Sequence, residues 1–365
     1  MRGLGIALHD SLEGLREPWS DLAEASGCIF STWEWLECWW RHFGRDRPLF
    51  VGACTADGRA MALIPMYLAA RRPVRVLRLM GHSPSDQLGP ICQFDVREEA
   101  AQAWADLLSR EVTEWDLLLA DELPGGADWA TALGGTHLAF QASPVARMSP
   151  GGWPEWLASR SSNFRATVSR ARRQLDTLGT VRFRQCTDVE RLENDFSELI
   201  RLHVLRWREV GRQGGFARRE GFHREFGRIA FDRGWLRLHM LELDNQVVGA
   251  LYNFRFGSAE SFYLSGRDPR LAKASIGLIM HAYAIQEAHE DGMTEYRFLR
   301  GAETYKRRFA DDDEPLEAVG VTRGPAGSLA LRALRHLPVF PTWARSRVPA
   351  ALAWGTGAAP KWGPP

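Results

Sequence analysis

The sequence predicts a two-domain protein of the α/β class. Three observations carry that expectation. A chain of 365 residues has room for two domains of ordinary size, and 45% hydrophobic with 25% charged residues suits a folded core rather than a disordered chain. Charge is also segregated: residues 1–159 hold 13 Lys+Arg against 21 Asp+Glu, net −8, whereas residues 160–237 hold 18 against 10, net +8. Over 238–317 the count is 9 against 14, and beyond Glu317 it is 6 against none, so an overall charge of +1 conceals acidic and basic blocks. Third, the stretch from Gly234 to Phe309 reads strand, strand, strand, helix, strand, helix.

Within that stretch, GWLRLHMLELDNQVVGALYNFRF places two apolar runs on either side of Asp244-Asn245, a hairpin pattern. A third run covers Ser261–Ser265, and a polar loop follows from Gly266 to Ala274. Leu278, Ile279, Ala282, Ile285 and Ala288 then share one face of a helix predicted over 275–291, with Ser275 as N-cap and Gly292 as C-cap. The short run EYRFL leads into RGAETYKRRF, the expected last helix.

Earlier in the chain, residues 28–140 read as mixed α/β. Ser31–Phe43 looks helical, capped by Ser31 or Thr32, and its four tryptophans are expected as core anchors because each ring buries so much area. Strand-like runs follow at Leu49–Cys54, Ala62–Leu68 and Val74–Met80. After the polar loop GHSPSDQLG come a helix near Glu98–Arg110 and a run Trp115–Leu119. This order is a weak echo of the later stretch. Gly134-Gly135 and the prolines between Pro144 and Pro154 mark a crossing segment. Helices are expected at Arg160–Leu175, Asp188–Arg212 and Arg219–Arg233. The first carries arginines at 160, 165, 170, 172 and 173, open to three readings: a solvated surface, a phosphate contact, or a nucleic-acid face. No aromatics are interleaved with them, which disfavours the last.

The five cysteines form no CxxC and no paired spacing, arguing against a disulfide framework or a zinc site and for a reducing compartment. Ten histidines include no HExxH or HxxEH, so no metal is expected. The first residues lack the apolar core of a signal peptide and no run of about 18 apolar residues occurs, so the expected location is the cytoplasm.

Leu264-Ser-Gly-Arg-Asp268, Ser275-Ile-Gly277, FLRGAETYK from Phe298 to Lys306, and LHVLRW from Leu202 to Trp207 carry a family likeness. In that order and spacing they resemble a GNAT-type acyltransferase, most of all the BioF2-like or CelD/BcsL-like acetyltransferases, over roughly Ser159 to Arg323. The resemblance implies tandem GNAT-like domains with mixed, mostly antiparallel sheets, as in the FemAB-type two-domain transferases. The boundaries expected are 1–150, 151–325, and a basic, Pro-rich tail 326–365.

It further implies acyl transfer from acyl-CoA to an amine, with a sugar, polysaccharide or cell-envelope precursor as acceptor. In GNAT enzymes the cofactor pyrophosphate sits at a helix start, where free N–H groups and the helix dipole favour an anion. That position is Ser275, Ile276 and Gly277 here, with Arg270 and Lys273 beside it; the family's two glycines before the helix are absent, and Lys273 is one of three lysines in the chain. Transfer needs a proton acceptor for the amine, donors for the oxyanion and a proton for the leaving group. Tyr305 stands where the family carries a general-acid tyrosine, and Glu303 and Asp268 are the nearest bases. Asp86, His203, Arg206, Tyr263, Arg300 and Lys306 are candidate substrate contacts, with Ser265 alongside Tyr263 to place the acyl group. The structural alternatives are a solvated turn for Asp86, an internal ion pair for Arg206, and for Tyr305 an amphipathic helix position with its hydroxyl in water. The family's acid before FLRG is replaced by Arg297.

After Arg323 acidic residues vanish and prolines multiply. The tail is expected either to pack on the body or to touch anionic lipid through Arg332, Arg335, Arg345 and Arg347 beside Trp and Leu. The competing functions are a FemAB-like transferase using aminoacyl-tRNA and a catalytically silent binding module. A nucleic-acid partner is expected only under the first of these.

Overall fold

The computed structural model describes residues 5–209, 216 and 219–335. Along the chain come β1 (Gly5–His9), α1 (Arg16–Ser26), α2 (Trp33–Trp39), β2 (Leu49–Ala56), β3 (Arg59–Ala70), β4 (Val76–Leu79), α3 (Arg97–Arg110), β5 (Leu117–Leu123), α4 (Trp129–Ala132) and β6 (Thr136–Gln141). Next are β7 (Pro144–Arg147), α5 (Gly152–Ser159), α6 (Ser162–Asp176), β8 (Val181–Gln185), α7 (Val189–Glu209), α8 (Glu220–Asp232), β9 (Leu236–Leu243), β10 (Gln246–Phe256) and β11 (Ala259–Arg267). The last are α9 (Ile276–Glu290), β12 (Glu295–Arg297), β13 (Asp312–Asp313), β14 (Leu316–Thr322) and α10 (Gly324–Arg335).

Two compact units result. One takes the residues up to Ala142 and the described ones from Glu314 on; the other runs from Ser143 to Asp313. Each is built on a seven-stranded sheet, ordered β1-β2-β3-β4-β5-β14-β6 in the first and β13-β7-β12-β11-β10-β9-β8 in the second. Each sheet is antiparallel but for one pair, β4 with β5 and β11 with β12. Parallel neighbours need a crossover, and α3 and α9 supply it. Both opening hairpins turn on two residues with positive φ, Asp57-Gly58 (49° and 77°) and Asp244-Asn245 (49° and 64°), the backbone that a tight hairpin requires. The chain is therefore α/β, with one strand plan laid down twice.

The plan closes by an exchange that local patterns do not show. β7 follows β6 in the chain but pairs with β12 and β13 in the second sheet, while β14 lies between β5 and β6 in the first. The division thus differs from the expected boundaries at 150 and 325. The expected crossing segment at 144–154 holds a strand and the start of α5. In α10, Ala330, Leu331 and Leu334 are buried with Val76, Leu117 and Leu119 of the first unit, so the apolar side of this part of the expected tail is covered by the fold. Arg345, Arg347 and the rest of 336–365 lie outside the described residues. No helix among the described residues is long and apolar enough to cross a membrane.

Other local expectations meet the structure unevenly. Thr32 caps α2, its Oγ1 accepting from Trp35 N at 3.3 Å, but the helix gives way to a π-helical turn at Trp40–Gly44. Trp35 and Trp39 are fully buried as expected of core anchors, and all five cysteines are buried and free. At the end of α9, Gly292 takes φ 71° while Met293 N donates to Ala288 O and Gly292 N to His289 O, a left-handed stop that glycine favours. Ser275 does not cap α9: it sits in the left-handed region at φ 55° and its side chain accepts nothing from the first turn. The expected helix in RGAETYKRRF is a single 3-10 turn at Lys306–Arg308, because Leu299 (φ 53°) and Gly301 (φ 123°) coil the chain before it.

In the second unit the sheet is covered on both faces. Leu251 joins the cluster of Ile276, Met280 and Ile285 from α9, while its neighbour Tyr252 meets Phe196 of α7 at 5.3 Å, as strand alternation demands. Helix α9 is buried on nearly every side because Trp156 of α5 and Phe164, Ala171 and Leu175 of α6 complete its surroundings.

Candidate functional site

Strands β11 and β12 pair only from Ala259–Ser261 to Glu295–Arg297 and then part. A bulge at Tyr263, where Tyr252 faces Leu264 but Asn253 faces Phe262, bends β11 at the same level. Beyond the fork, β11 has no partner on that side among the described residues. Groups from both faces of the sheet meet there.

From the α7 side come His203 and Arg206, one turn apart. His203 Nδ1 lies 3.1 Å from Ser265 O, which makes this nitrogen the donor, and Arg206 Nη1 donates to Ser265 Oγ at 2.8 Å. Burial pushes His203 down to about 4, the Ser265 carbonyl opposing and the Arg206 charge adding to the effect, so the ring is neutral at pH 7. Gly266 makes this approach possible: a Cβ there would stand 2.7 Å from His203 N and from Leu202 Cβ. Gly266→Ala should therefore push α7 from β11 and lower stability by about 1–3 kcal/mol, as overpacking does. Thermal unfolding beside that of an Ala substitution at the open Gly277 would measure it.

From the α9 side comes Tyr305, stacked on His281 with ring centroids 5.5 Å apart and planes at 22°. Burial raises its hydroxyl above the ordinary phenol range, Glu303 adds to the rise and Arg206 opposes it, so the proton is held at neutral pH. Lys306 is buried and its Nζ donates to Arg300 O at 2.7 Å and lies 3.1 Å from Glu303 Oε2. That ammonium closes the coil that presents Tyr305. The structure thus brings together His203, Arg206, Ser265, Glu303, Tyr305 and Lys306, with Arg300 contributing its carbonyl. Tyr263 packs instead among Tyr252, Phe254 and His223.

Asp268 stands apart from this group. It caps the turn Pro269–Ala274, accepting from Arg270 N at 2.9 Å and pairing with Arg270 Nη2 at 2.6 Å. Those bonds hold its carboxyl below the usual range, which weakens it as a base. The turn feeds α9, whose start has no side-chain cap; Ser275 is exposed, and a Cβ built on Gly277 would meet nothing within 4 Å. The first turn of α9 thus carries no side-chain cap. The side chain of Lys273 lies outside the described residues. Asp86 is buried in the first unit, in the loop after β4. Arg297 pairs within its own strand, its Nε donating to Glu295 Oε1 at 2.5 Å.

A buried polar chain under the fork was missed from sequence. Glu260 takes Arg255 Nη2 at 2.8 Å, His239 Nε2 at 3.4 Å and Asn253 Nδ2 at 2.8 Å. Asn253 Nδ2 also donates to Tyr296 Oη at 3.1 Å, which lies 3.2 Å from His281 Nδ1. Polar residues interrupting apolar strands (His239, Asn253, Glu260) were the available signal, since such groups are buried only with partners. A cleft of about 590 Å³ opens nearby, where Ser161 and Asn163 at the start of α6, with Arg160, face Arg307, Arg308 and Asp311.

Residues 162–307 match the family model described as "Acetyltransferase (GNAT) domain". No curated protein is matched by this chain. Among solved structures it is similar to FemX, with TM-score 0.63 and 10% identity, over 91% of this chain and 100% of that one. It is similar to L-PGS from Bacillus licheniformis (TM-score 0.52, 12% identity, 82% of this chain and 94% of that one). A conserved protein of unknown function from Bacteroides thetaiotaomicron VPI-5482 is another likeness, at TM-score 0.51 and 10% identity over 87% of this chain and all of that one. At such identities these structures speak for the fold alone.

Proposed function

We propose that the second unit is an acyltransferase that moves an acyl group from acyl-CoA to an amine. The observation that carries this is the fork between β11 and β12, where a proton-bearing Tyr305, Arg206 with Ser265, and Glu303 converge in a domain that matches the GNAT acetyltransferase model. In the proposed reaction the amine nitrogen bonds to the carbonyl carbon and the carbon–sulfur bond breaks. The amine proton passes to Glu303 or solvent, and Tyr305 protonates the leaving thiolate. The open first turn of α9 fits a pyrophosphate, with Ser275, Ile276 and Gly277 offering backbone N–H groups and Arg270 nearby as charge. His203 and Lys306 hold the surroundings in place: one through the Ser265 carbonyl, the other through Arg300 and Glu303. Asp268 serves in this reading by shaping the turn before α9.

The acceptor class, a sugar, polysaccharide or cell-envelope precursor amine, follows from the likeness to the BioF2-like and CelD/BcsL-like enzymes, and the cytoplasmic location from the unpaired cysteines and the lack of a long apolar run in the sequence. A second reading is an aminoacyl-tRNA donor, favoured by the exposed Arg165, Arg170 and Arg173 on α6. Salt separates the two. Each neutralised phosphate releases counterions, so tRNA binding would fall steeply with ionic strength and CoA-ester binding gently. Acetyl-CoA at a hundred times its dissociation constant should stabilise the protein by about 2.7 kcal/mol, visible as a rise in melting temperature, and aminoacyl-tRNA should give none. Tight low-salt binding of tRNA without any response to CoA esters would reverse the assignment. Binding of neither would leave a silent module.

A further inference from the structure

We infer that His281 is a further catalytic residue, whose Nε2–H donates a hydrogen bond to the carbonyl oxygen of the acyl donor as that oxygen gains negative charge. The inference rests on the acyl-transfer reading and adds a group that reading does not use.

The argument begins with an acceptor that cannot donate. Glu260 is fully buried beside Arg255 and His239, and its carboxylate fixes the Asn253 amide with the NH2 group toward it. The same Nδ2 gives its other hydrogen to Tyr296 Oη. The two groups bonded to the Tyr296 hydroxyl are then a donor, Asn253, and a ring nitrogen, His281 Nδ1, so the phenol hydrogen goes to Nδ1. Nδ1 accepts, and the ring proton must stand on Nε2. That nitrogen has no hydrogen-bond partner among the described residues, although His281 is only 2% exposed.

The ring is held in place as well as in tautomer. Phe262 meets it edge-on at 4.5 Å, Phe298 lies at 5.2 Å and Phe309 at 5.7 Å, and Tyr305 covers one side at 5.5 Å. Burial pushes its pKa down to about 3, with the charges of Lys306, Arg206 and His239 adding to the effect, so it stays a neutral donor over the working pH range. A donor without a protein acceptor among the described residues, packed against the proposed general acid, is placed for the carbonyl oxygen, two bonds from the sulfur that Tyr305 protonates. When the amine attacks, the carbonyl π electrons move to that oxygen and the Nε2–H bond strengthens. When the carbonyl re-forms, the leaving group departs with the proton from Tyr305, and His281 has neither lost nor gained one.

The test compares wild type with His281→Phe, which keeps an aromatic ring in the cage, and His281→Gln, which keeps an N–H near the Nε2 position. Melting temperatures establish that both fold. With acetyl-CoA carrying a 13C-labelled carbonyl, the bound ester's C=O stretch should lie lower in wild type and His281→Gln than in His281→Phe. With hydroxylamine as acceptor, His281→Phe should lose about 100-fold in kcat at similar KM, with partial recovery in His281→Gln. A bound ester whose C=O stretch is the same in all three proteins overturns the inference. So does 15N NMR of the free protein showing the proton on Nδ1, or a ring that titrates near the ordinary imidazole pKa. Should wild type fail to bind acetyl-CoA, the thioester reading falls. The same stretch measured with the ester 3′-O-alanyl-adenosine then decides His281 separately, a lowered frequency supporting it and an unchanged one removing it.

Discussion

Glu260→Ala is expected to destabilise the second unit by about 3–5 kcal/mol, the loss typical when one member of a buried charge group is removed. The carboxylate is fully buried and balances Arg255 at 2.8 Å and His239 at 3.4 Å. Arg255 keeps Asp291 as a partner, and His239 keeps Glu287 at 3.2 Å, off the line of a good hydrogen bond. Glu260→Gln, which retains the shape and one acceptor, should lose less. The pH dependence follows from the signs. Burial alone would raise the Glu260 carboxyl, but His239 and Arg255 reverse this and hold it below its ordinary value. Its contribution is therefore complete above the unfolded carboxylate range, about 4.3, and is lost as pH falls through the lower folded value. For His239, burial opposes the charge, yet Glu260 and Glu287 carry the ring above its ordinary value. That contribution is complete below about 6.5 and fades as pH rises through the raised folded value. Stability should peak between the two limits in wild type, and both limbs should flatten in Glu260→Ala. Urea unfolding from about pH 3 to 9 would show it; parallel wild-type and variant curves would refute the assignment.

Tyr305→Phe is expected to lower kcat by about 100-fold or more while leaving KM near its wild-type value. The hydroxyl is proposed to give its proton only in the transition state, and general acids contribute about 10²–10⁴-fold. The side chain is a usable proton store because burial and Glu303 keep it protonated. Phe preserves the stack on His281, so the loss should belong to the hydroxyl. Tyr305→Leu, which also gives up the stack at 5.5 Å, should lose kcat and raise the rate of thermal inactivation. Near wild-type turnover in the Phe variant with a loss confined to Leu would assign Tyr305 to packing instead.

How far the chain could be read depended on sequence distance. Asp244-Asn245 announced the β9–β10 hairpin because a two-residue turn needs positive φ, which these side chains tolerate. The apolar spacing of Leu278 to Ala288 announced α9, since a helix is periodic in itself. The motif FLRGAETYK pointed to Tyr305 and its neighbours, and LHVLRW to His203 and Arg206. These are properties of short segments, fixed by dihedral preference and periodicity.

Other features belong to the folded chain. The exchange of β7 and β14 between the sheets is decided by which strand edges meet, and a strand of four residues such as Pro144–Arg147 carries no mark of its partner. Ser275 read as a cap, yet the entering turn forces it left-handed and leaves the start of α9 open. Nothing in the helical pattern singles out His281; Tyr296, Asn253 and Glu260 decide which of its nitrogens carries the proton. The sequence by itself determined local elements such as the β9–β10 hairpin and α9, and its motifs named candidates around the fork. Only the tertiary structure decided where strands part and how buried donors and acceptors are matched, because both are set by non-local partners that must be in place before a polar group can leave water.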